Sequence, residues 1–526
     1  MSVDAAPRGN RLLIRKSIEQ VQRESQTHGL KRTLGAWNLV LLGIGCIIGA
    51  GIYVMTGNAA ANFAGPAVVL SFIVAFFACV FAGLCYAELA STMPVAGSAY
   101  TYSYTTLGEV FAWVMGWLLV LEYGVAAATV AAGWSGNVVS LLKDFGVVIP
   151  TEFTDSFIRA VQLPQGGFTF ESGGSFNLLG AAGILAITVL LVIGISESAT
   201  VNNVIVFIKV GVLLLFIGMG VAFINIDNWT PFIPPNEGGF TYGVPGIFRA
   251  ASVIFFAYVG FEAVSTAAAE AKNPQRDIPI GVLGSLIVCT IIYMLVAAVL
   301  TGVVPFRQLG VSAPIALAVD VMGMTWFSLL IKIGAVAGLT SVMLILTYGQ
   351  SRIFFAMAKD GLLPRFFSVL HEKFRTPWIG TIVLGVIIAF AASMLPIQIL
   401  GDLVSLGTAT AFAIVCISVL WLRKNRPDLH RPFRAPLGVF TPIAGIFFAL
   451  IMIAPLVMDI FAKAASGDPI PAILLGSYFA IGAALYAFYG YRNSRLGNGL
   501  PQVDADQDAG TGPEQAILHG IEDGKA

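Results

Sequence analysis

Twelve runs of about 20 mostly apolar residues follow one another along this chain of 526 residues. Such a run, folded as an α-helix, matches the hydrocarbon thickness of a bilayer. Only 11% of the residues are charged, against about 25% in a soluble domain, so the lipid bilayer must serve as the solvent. We predict an all-α integral membrane protein with twelve transmembrane helices, at about 35–57, 66–90, 106–136, 177–196, 199–224, 246–270, 279–304, 326–353, 378–396, 399–423, 439–461 and 470–490.

The composition and motifs argue against several other classes of protein. The 29 basic and 29 acidic residues cancel, which makes nucleic acid a poor candidate partner. The sequence contains no G-x-x-x-x-G-K-[ST] and no H-E-x-x-H motif, so neither a nucleotide nor a metal centre is indicated. The five cysteines lie in apolar runs without C-x-x-C spacing, which favours packing over disulfide or metal chemistry. We expect no enzyme activity, no cofactor and no metal site.

The positions of lysine and arginine predict how the chain crosses the membrane. With a cytoplasmic N-terminus, 22 of these residues fall on the cytoplasmic side and four on the other. Because positive charge accumulates on the cytoplasmic side, we place both termini there, in a multi-pass protein of the cell (inner or plasma) membrane. The predicted segments are a cytoplasmic leader (1–34), a first five-helix repeat (35–224), an extracellular link (225–245), a second five-helix repeat (246–423), a basic cytoplasmic loop (424–438), helices 11 and 12 (439–490) and a disordered cytoplasmic tail (491–526).

The first and sixth predicted spans contain sequence that breaks helices. The stretch GIGCIIGAGIYV (43–54) holds four glycines in nine positions, and each weakens a helix by about 0.5–1 kcal/mol relative to alanine. The stretch FFAYVGFEAVS (255–265) places Gly260 and the acidic Glu262 at mid-membrane. Breaks at corresponding places in two inverted repeats form the substrate site of many secondary transporters. We predict two inverted five-span repeats with helices 1 and 6 broken; glycine-mediated helix packing is the alternative explanation of the first stretch.

An unwound stretch inside a membrane offers backbone groups as a binding site. The second half of a broken helix begins with free N–H groups and a partial positive charge. We therefore expect the N–H groups of Gly49, Ala50 and Gly51 to bind a carboxylate. Carbonyl groups at the two breaks are expected to accept hydrogen bonds from an ammonium group, namely those of Ile47, Phe256 and Val259. An anion site beside a cation site describes the headgroup of an α-amino acid.

Four segments resemble the amino acid–polyamine–organocation permeases, most closely their cationic amino acid transporter branch. They are GIGCIIGAGIYV, YAELASTMPVAGSAYTY (86–102), NNVIVFIKVG (202–211) and FFAYVGFEAVSTAAAEAKNPQRDIP (255–279), and they keep the family's order. The similarity extends over roughly residues 15–430. The resemblance implies a fold of two inverted five-helix repeats and transport by alternating access.

Lys209 lies about ten residues into the fifth predicted span, too deep to reach water easily. Removing a lysine from water disfavours its charged form, so such a side chain can exchange a proton near neutral pH. The resemblance implies that Lys209 lies where related sodium-coupled transporters bind sodium, and we expect it to couple proton movement to transport. The alternative is a permanently charged lysine with a structural partner.

The remaining residues near the two breaks have several open roles. Glu122 in the third span is expected to pair with Lys209, to line the pocket or to accept a charged substrate side chain; a purely structural carboxylate is as plausible. Glu262 either fixes the freed backbone at Gly260 or takes part in gating. The resemblance implies that aromatic residues in this segment, Phe256 and Tyr258, act as gates. Simple packing is the alternative role for both residues. The residues predicted to shape selectivity are Ile48, Glu122, Ala126 and Ala257, and Gly45 is expected to be structural.

Charged residues near the ends of the spans are expected to reach water or to pair at the surface. Arg249, Lys332 and Asp402 lie near predicted outer ends, where long side chains extend to the interface. Glu88 and Glu270 lie near the inner face, within reach of basic residues that follow the sixth span, Lys272 and Arg276.

The sequence thus predicts a secondary active transporter for L-amino acids, cationic or small neutral, coupled to protons. Exchange of one amino acid for another is the alternative within this class. A channel and a non-transporting receptor of the same fold are further alternatives, and the sequence leaves open whether a small membrane subunit binds.

Overall fold

The structure is a computed structural model, and it describes residues 11–18, 21, 34–94, 97–162, 168–194 and 199–500. Its longer helices are α1 (Ala36–Ile47), α2 (Val68–Thr92), α3 (Ser98–Thr106), α4 (Glu109–Leu119), α5 (Ala126–Asp144), α6 (Leu178–Ile193), α7 (Ala199–Gly220), α8 (Gly243–Ile254), α9 (Pro274–Val303), α10 (Pro314–Val321), α11 (Thr325–Lys359), α12 (Trp378–Met394), α13 (Ile397–Asn425), α14 (Phe440–Ala465) and α15 (Ile470–Leu485). Two strands, β1 (Ile158–Gln162) and β2 (Phe168–Ser172), form an antiparallel hairpin. The all-α prediction did not include this hairpin.

Among the described residues, nine helices are long and apolar enough to cross a membrane, and three shorter apolar helices accompany them. α6 and α12 have 16 and 17 residues, slightly fewer than the 20 or so that span a bilayer without thinning it. α4 and α5 join through a π-helical segment, Val120–Val125, into one helix of 36 residues. The protein is therefore a helical, multi-pass membrane protein.

The first predicted span does not form one helix. α1 ends at Ile47, and Ile48 adopts an extended conformation with φ −72° and ψ 99°. The chain then resumes as a π-helical segment at Gly51–Met55 and remains helical to Ala64. The predicted break in the first span is present in the structure.

The sixth predicted span is also interrupted. α8 passes into a tight 3₁₀ turn at Phe255–Tyr258, after which Val259 is extended with ψ 131°. Gly260 has φ +117°, a left-handed conformation that glycine adopts without a Cβ clash. A short helix, Ala263–Thr266, continues the chain. α9 packs against both α1 and α2, and α11 packs against α5, so the broken segments lie within the bundle.

A buried charge cluster lies at the end of the bundle opposite the chain termini. The Arg249 guanidinium in α8 is fully buried and donates to both oxygens of Asp402 in α13, at 3.0 and 2.6 Å, while its Nε donates to Asp459 in α14 at 3.1 Å. Its guanidinium carbon also lies 4.7 Å from the ring centre of Phe63, beyond the first break. One side chain thus ties the first and sixth spans to α13 and α14.

The prediction that Arg249 and Lys332 extend to the interface is wrong, whereas Asp402 is partly exposed and pairs with Arg249. Arg249 and Lys332 are 0% and 1% exposed, and Lys332 pairs with Asp144 at 2.8 Å. A buried charge is tolerated when it is paired, and the partners come from helices that sequence position alone does not bring together.

The hairpin is anchored beside the same cluster. Asp468 accepts hydrogen bonds from the Phe170 N–H at 2.8 Å and from the Thr169 hydroxyl at 3.1 Å. The Lys463 ammonium lies 3.6 Å from Asp459 and 3.8 Å from the ring centre of Phe168. The hairpin is therefore held to the loop between α14 and α15.

A second set of ion pairs lies at the end of the bundle that carries the termini. Glu88 in α2 is fully buried and accepts hydrogen bonds from Arg423 Nε at 2.9 Å and the Ala435 N–H at 2.8 Å. Glu88 pairs with Arg423 and Arg431 instead of the predicted Lys272 and Arg276, because α2 also packs against α13, whose last turn carries Arg423. The side chain of Glu270 lies outside the described residues.

The leader and the start of the tail contact the same end of the bundle. The Lys16 ammonium lies 2.6 Å from Asp360 at the end of α11, and the Arg495 N–H donates to the Asp360 carbonyl at 3.0 Å. Residues 491–500 are thus ordered against the bundle, whereas the predicted disordered tail began at 491. The predicted tail beyond residue 500 lies outside the described residues.

We expect replacement of Arg249 by glutamine to lower the free energy of unfolding by about 3–5 kcal/mol, because Asp402 would lose its charged partner in a largely buried site and Asp459 would keep only Lys463 at 3.6 Å. Thermal unfolding of the purified protein in detergent measures this. The matched control is Arg307→Gln, which breaks the exposed pair with Glu237 and should cost less than about 1 kcal/mol. Equal losses of unfolding free energy in both variants would contradict a stabilising role for the buried Arg249 cluster.

Candidate functional site

The two broken spans meet at backbone level. A Cβ on Gly51 would lie 2.2 Å from the Cα of Ala257, and a Cβ on Gly260 would lie 2.9 Å from the backbone carbon of Cys46. Distances this short leave no room for a side chain. The glycines therefore allow the two unwound segments to approach each other closely. The glycine-rich first stretch predicted the break in the first span but not this role of its glycines.

The first break exposes N–H groups at the start of a half-helix. The Gly49 carbonyl accepts a hydrogen bond from the Tyr53 N–H at 3.3 Å, so the second half of the helix begins there. The N–H groups of Gly49, Ala50 and Gly51 consequently have no partner within that helix. The structure brings the three predicted carboxylate donors together, and their role as a binding site stays a prediction.

Two of the three predicted ammonium acceptors, Ile47 and Phe256, already have partners. The Ile47 carbonyl accepts a hydrogen bond from the Tyr293 hydroxyl at 2.8 Å, and the Phe256 carbonyl accepts one from the Val259 N–H at 3.1 Å. Each carbonyl oxygen keeps a second lone pair, so both can still accept from a ligand. Sequence reasoning missed Tyr293. Its only signal in the sequence is a hydroxyl group in the middle of the seventh predicted span.

Lys209 links α7 to the first break. Its side chain is 1% exposed, and its ammonium donates to the Gly45 carbonyl at 2.9 Å. It also lies against α11, where a Cβ on Gly338 would approach its Cε to 3.2 Å. The predicted pair with Glu122 is not formed, because neither oxygen of Glu122 accepts a hydrogen bond from a described donor. Both the coupling role and the structural role of Lys209 are compatible with this contact.

Glu122 and Glu262 lie beside the breaks. Glu122 belongs to the π-helical segment between α4 and α5, directly before Ala126, and such segments are frequent at functional sites. Glu262 accepts a hydrogen bond from the Gly260 N–H at 2.9 Å. This is the contact that its predicted role in fixing the freed backbone requires. The sequence placed each of them at mid-membrane, and the structure buries both.

The two predicted gating aromatics have different surroundings. Tyr258 is fully buried, packs against Phe72 and Tyr293, and donates from its hydroxyl to the Phe72 carbonyl at 3.1 Å. These contacts favour the packing role. Phe256 lies at the break with 5% exposure, close to Ala257 and the first unwound segment, and its gating role stays a prediction. Ile48 is fully buried in the first break.

Two broken membrane helices that meet through unwound backbone are the arrangement in which many secondary transporters form their substrate sites. The chain matches the family model described as "Amino acid permease" over residues 34–493. It therefore belongs to the amino acid permease family.

Curated relatives agree with this family. The chain is 42% identical to the branched-chain amino acid permease BcaP of Bacillus subtilis over 92% of its length and 98% of the relative. It is 43% identical to the methylthioribose transporter of B. subtilis over 83% and 90% of the two chains. It is 38% identical to the vacuolar cationic amino acid transporter 4 of Arabidopsis thaliana over 80% and 68%. The resemblance found in the sequence is confirmed.

We expect Gly260→Ala to lower the free energy of unfolding by about 1–3 kcal/mol, the cost of a side chain in a disfavoured backbone conformation. The clash with the backbone of Cys46 should also abolish substrate binding by forcing the two breaks apart. Thermal unfolding and ligand binding to the purified variant measure these effects.

The matched control is Gly211→Ala in α7, where an added Cβ meets no atom within 4 Å. The control variant should leave substrate binding unchanged. If binding is also unchanged in Gly260→Ala, close approach of the two breaks is not needed for substrate binding.

Proposed function

We propose that this chain is a secondary active transporter that takes up L-amino acids by alternating access and is driven by protons. The observation that carries the proposal is the meeting of the two breaks. There the free N–H groups of Gly49, Ala50 and Gly51 suit a carboxylate, and the carbonyl groups of Ile47 and Val259 suit an ammonium group. Backbone groups recognise the part of the substrate that all α-amino acids share.

The architecture proposed for this activity has twelve spans in two inverted five-helix repeats, followed by two additional helices. The breaks at Ile48 and at Val259–Gly260 support it, because they begin the two proposed repeats (35–224 and 246–423). We further propose that the end carrying the termini faces the cytoplasm of the cell membrane, since it holds most of the lysine and arginine residues outside the spans.

Selectivity for the side chain is proposed to lie outside the backbone site. The names of the relatives cover branched-chain amino acids, cationic amino acids and methylthioribose, so family membership alone does not define the substrate. Ile48, Ala126 and Ala257 leave room for small neutral side chains, and Glu122 adds an acidic group suited to cationic ones. We propose cationic and small neutral amino acids as the substrate class.

Exchange of one amino acid for another is the second candidate. The contact of the Lys209 ammonium with the Gly45 carbonyl favours it, because a lysine that stays charged in this contact would leave no proton-responsive group in the fifth span.

Uptake of labelled alanine, leucine and arginine into proteoliposomes tests the proposal. With sodium absent, an inward proton gradient should drive accumulation of at least one of them. Counterflow that is the same with and without the proton gradient would instead establish exchange of one amino acid for another. Absence of flux for all three amino acids would refute amino acid transport.

We expect Lys209→Met to abolish accumulation driven by the proton gradient while counterflow persists, because the variant removes the ammonium that contacts the first break. Uptake with and without the gradient measures this. Lys143→Met, at the exposed end of α5, is the matched control and should behave like the unmodified protein. Full accumulation in the Lys209 variant would assign this lysine a structural role.

A further inference from the structure

The connection between α13 and α14 gathers positive charge at the membrane surface. The basic segment 423–440, from the last turn of α13 to the first residue of α14, contains five lysine and arginine residues and a single acidic residue, Asp428. Both helices are long and apolar enough to cross a membrane, so the segment between them lies at the level of the lipid headgroups. Lysine and arginine at this level attract anionic lipids.

A single buried carboxylate fixes the shape of this segment. Glu88 of α2 accepts hydrogen bonds from Arg423 Nε at 2.9 Å and from the Ala435 N–H at 2.8 Å. Arg423 also donates to the carbonyl group of Ala435 at 3.2 Å and to that of Gly438. Arg431 donates to two further backbone carbonyls of the same connection, at 3.0 and 2.8 Å. The end of α13 and the residues before α14 are therefore held together by the protein itself.

Two cations beside this contact remain available for a ligand. Lys424 follows Arg423 directly, and Arg434 precedes Ala435, so their positions flank the contact between α13 and the segment. Both residues are exposed. Within the described part of the chain, neither side chain donates a hydrogen bond or forms an ion pair. Their ammonium and guanidinium groups are thus free to donate to an anion.

A row of aromatic rings continues from this segment along the outside of the bundle. Phe440, the first residue of α14, lies with its ring centre 6.1 Å from that of Phe81 in α2. Phe81 stacks on Phe448 at 5.6 Å, and Phe448 stacks on Phe77 at 5.8 Å. The two helices approach closely here, because a Cβ on Gly445 would lie 3.6 Å from the backbone of Phe81. The row extends about 12 Å along α14.

This aromatic row is exposed at the surface of the bundle. Phe440 and Phe77 are 58% and 43% exposed, and Leu437, just before α14, is 69% exposed. In a membrane these side chains face lipid. Unpaired cations at headgroup level above an apolar strip match the two parts of an anionic phospholipid, its phosphate and its acyl chains.

We propose that the basic segment 423–440 and the aromatic row between α2 and α14 form a binding site for one anionic glycerophospholipid. Lys424 and Arg434 donate to the phosphate group, and an acyl chain lies along the rings of Phe440 and Phe448. A zwitterionic lipid fits the apolar strip equally well, but its own ammonium group opposes the two cations. The site therefore prefers phosphatidylglycerol to phosphatidylcholine.

Native mass spectrometry of the purified full chain tests the site. The protein in detergent is equilibrated with equal amounts of dioleoylphosphatidylglycerol and dioleoylphosphatidylcholine, whose acyl chains are identical. We expect one phosphatidylglycerol to be retained in preference. Lys424→Gln combined with Arg434→Gln should weaken its binding by about thirtyfold, and each single change by about fivefold. Both residues are exposed, so the variants should fold normally.

The matched control combines Lys373→Gln with Arg492→Gln, which removes two exposed cations at the same end of the bundle but outside the basic segment. This control should keep the preference for phosphatidylglycerol. Equal retention of the two lipids by the unmodified protein, or an unchanged preference in the variant that lacks Lys424 and Arg434, would overturn the proposal. Displacement of the lipid by millimolar inorganic phosphate would overturn it as well, in favour of a site for free phosphate. Because no amino acid flux is measured, these outcomes are independent of the proposed transport.

Discussion

The rest of the candidate site depends on the direct backbone contact between the two interrupted spans. At Gly51 and Gly260 the two chains approach so closely that a single methyl group would collide with the opposing backbone. That closeness brings the two unwound segments side by side, Gly51 against Ala257 and Gly260 against Cys46. In a lipid environment, unpaired backbone groups are tolerated only where protein or a cavity surrounds them. The contact therefore makes the breaks possible and also shapes the site.

Charged side chains hold the bundle together at both ends. Arg249 ties the first half of the sixth span and the end of the first span to α13 and α14. At the opposite end, Glu88 ties α2 to α13. Removing a charge from water is costly unless the partner geometry is good, so these clusters favour one arrangement of the helices.

Local sequence predicted the helices and the breaks well. Glycine content alone marked the interruption at residues 48–50, and the stretch around Gly260 marked the second. The partners of buried charges were harder to predict. Arg249 was expected to reach water and is instead paired with two aspartates that lie 153 and 210 residues away. The hairpin at 158–172 and the tyrosine that binds the Ile47 carbonyl were likewise invisible, because each depends on contacts between segments far apart in the chain.

The sequence by itself determined that this chain is a helical membrane protein of the amino acid permease family with two interrupted spans, because hydrophobic run length and glycine content act locally. Only the tertiary structure decided which groups face one another at the breaks. Lys209 bonds to the Gly45 carbonyl, and neither oxygen of Glu122 accepts a hydrogen bond from a described donor. The sequence places Glu122, Glu262 and Lys209 at similar depths in the membrane. Their pairing follows from helix rotation and packing, which are set by all the surrounding contacts together and by no local pattern.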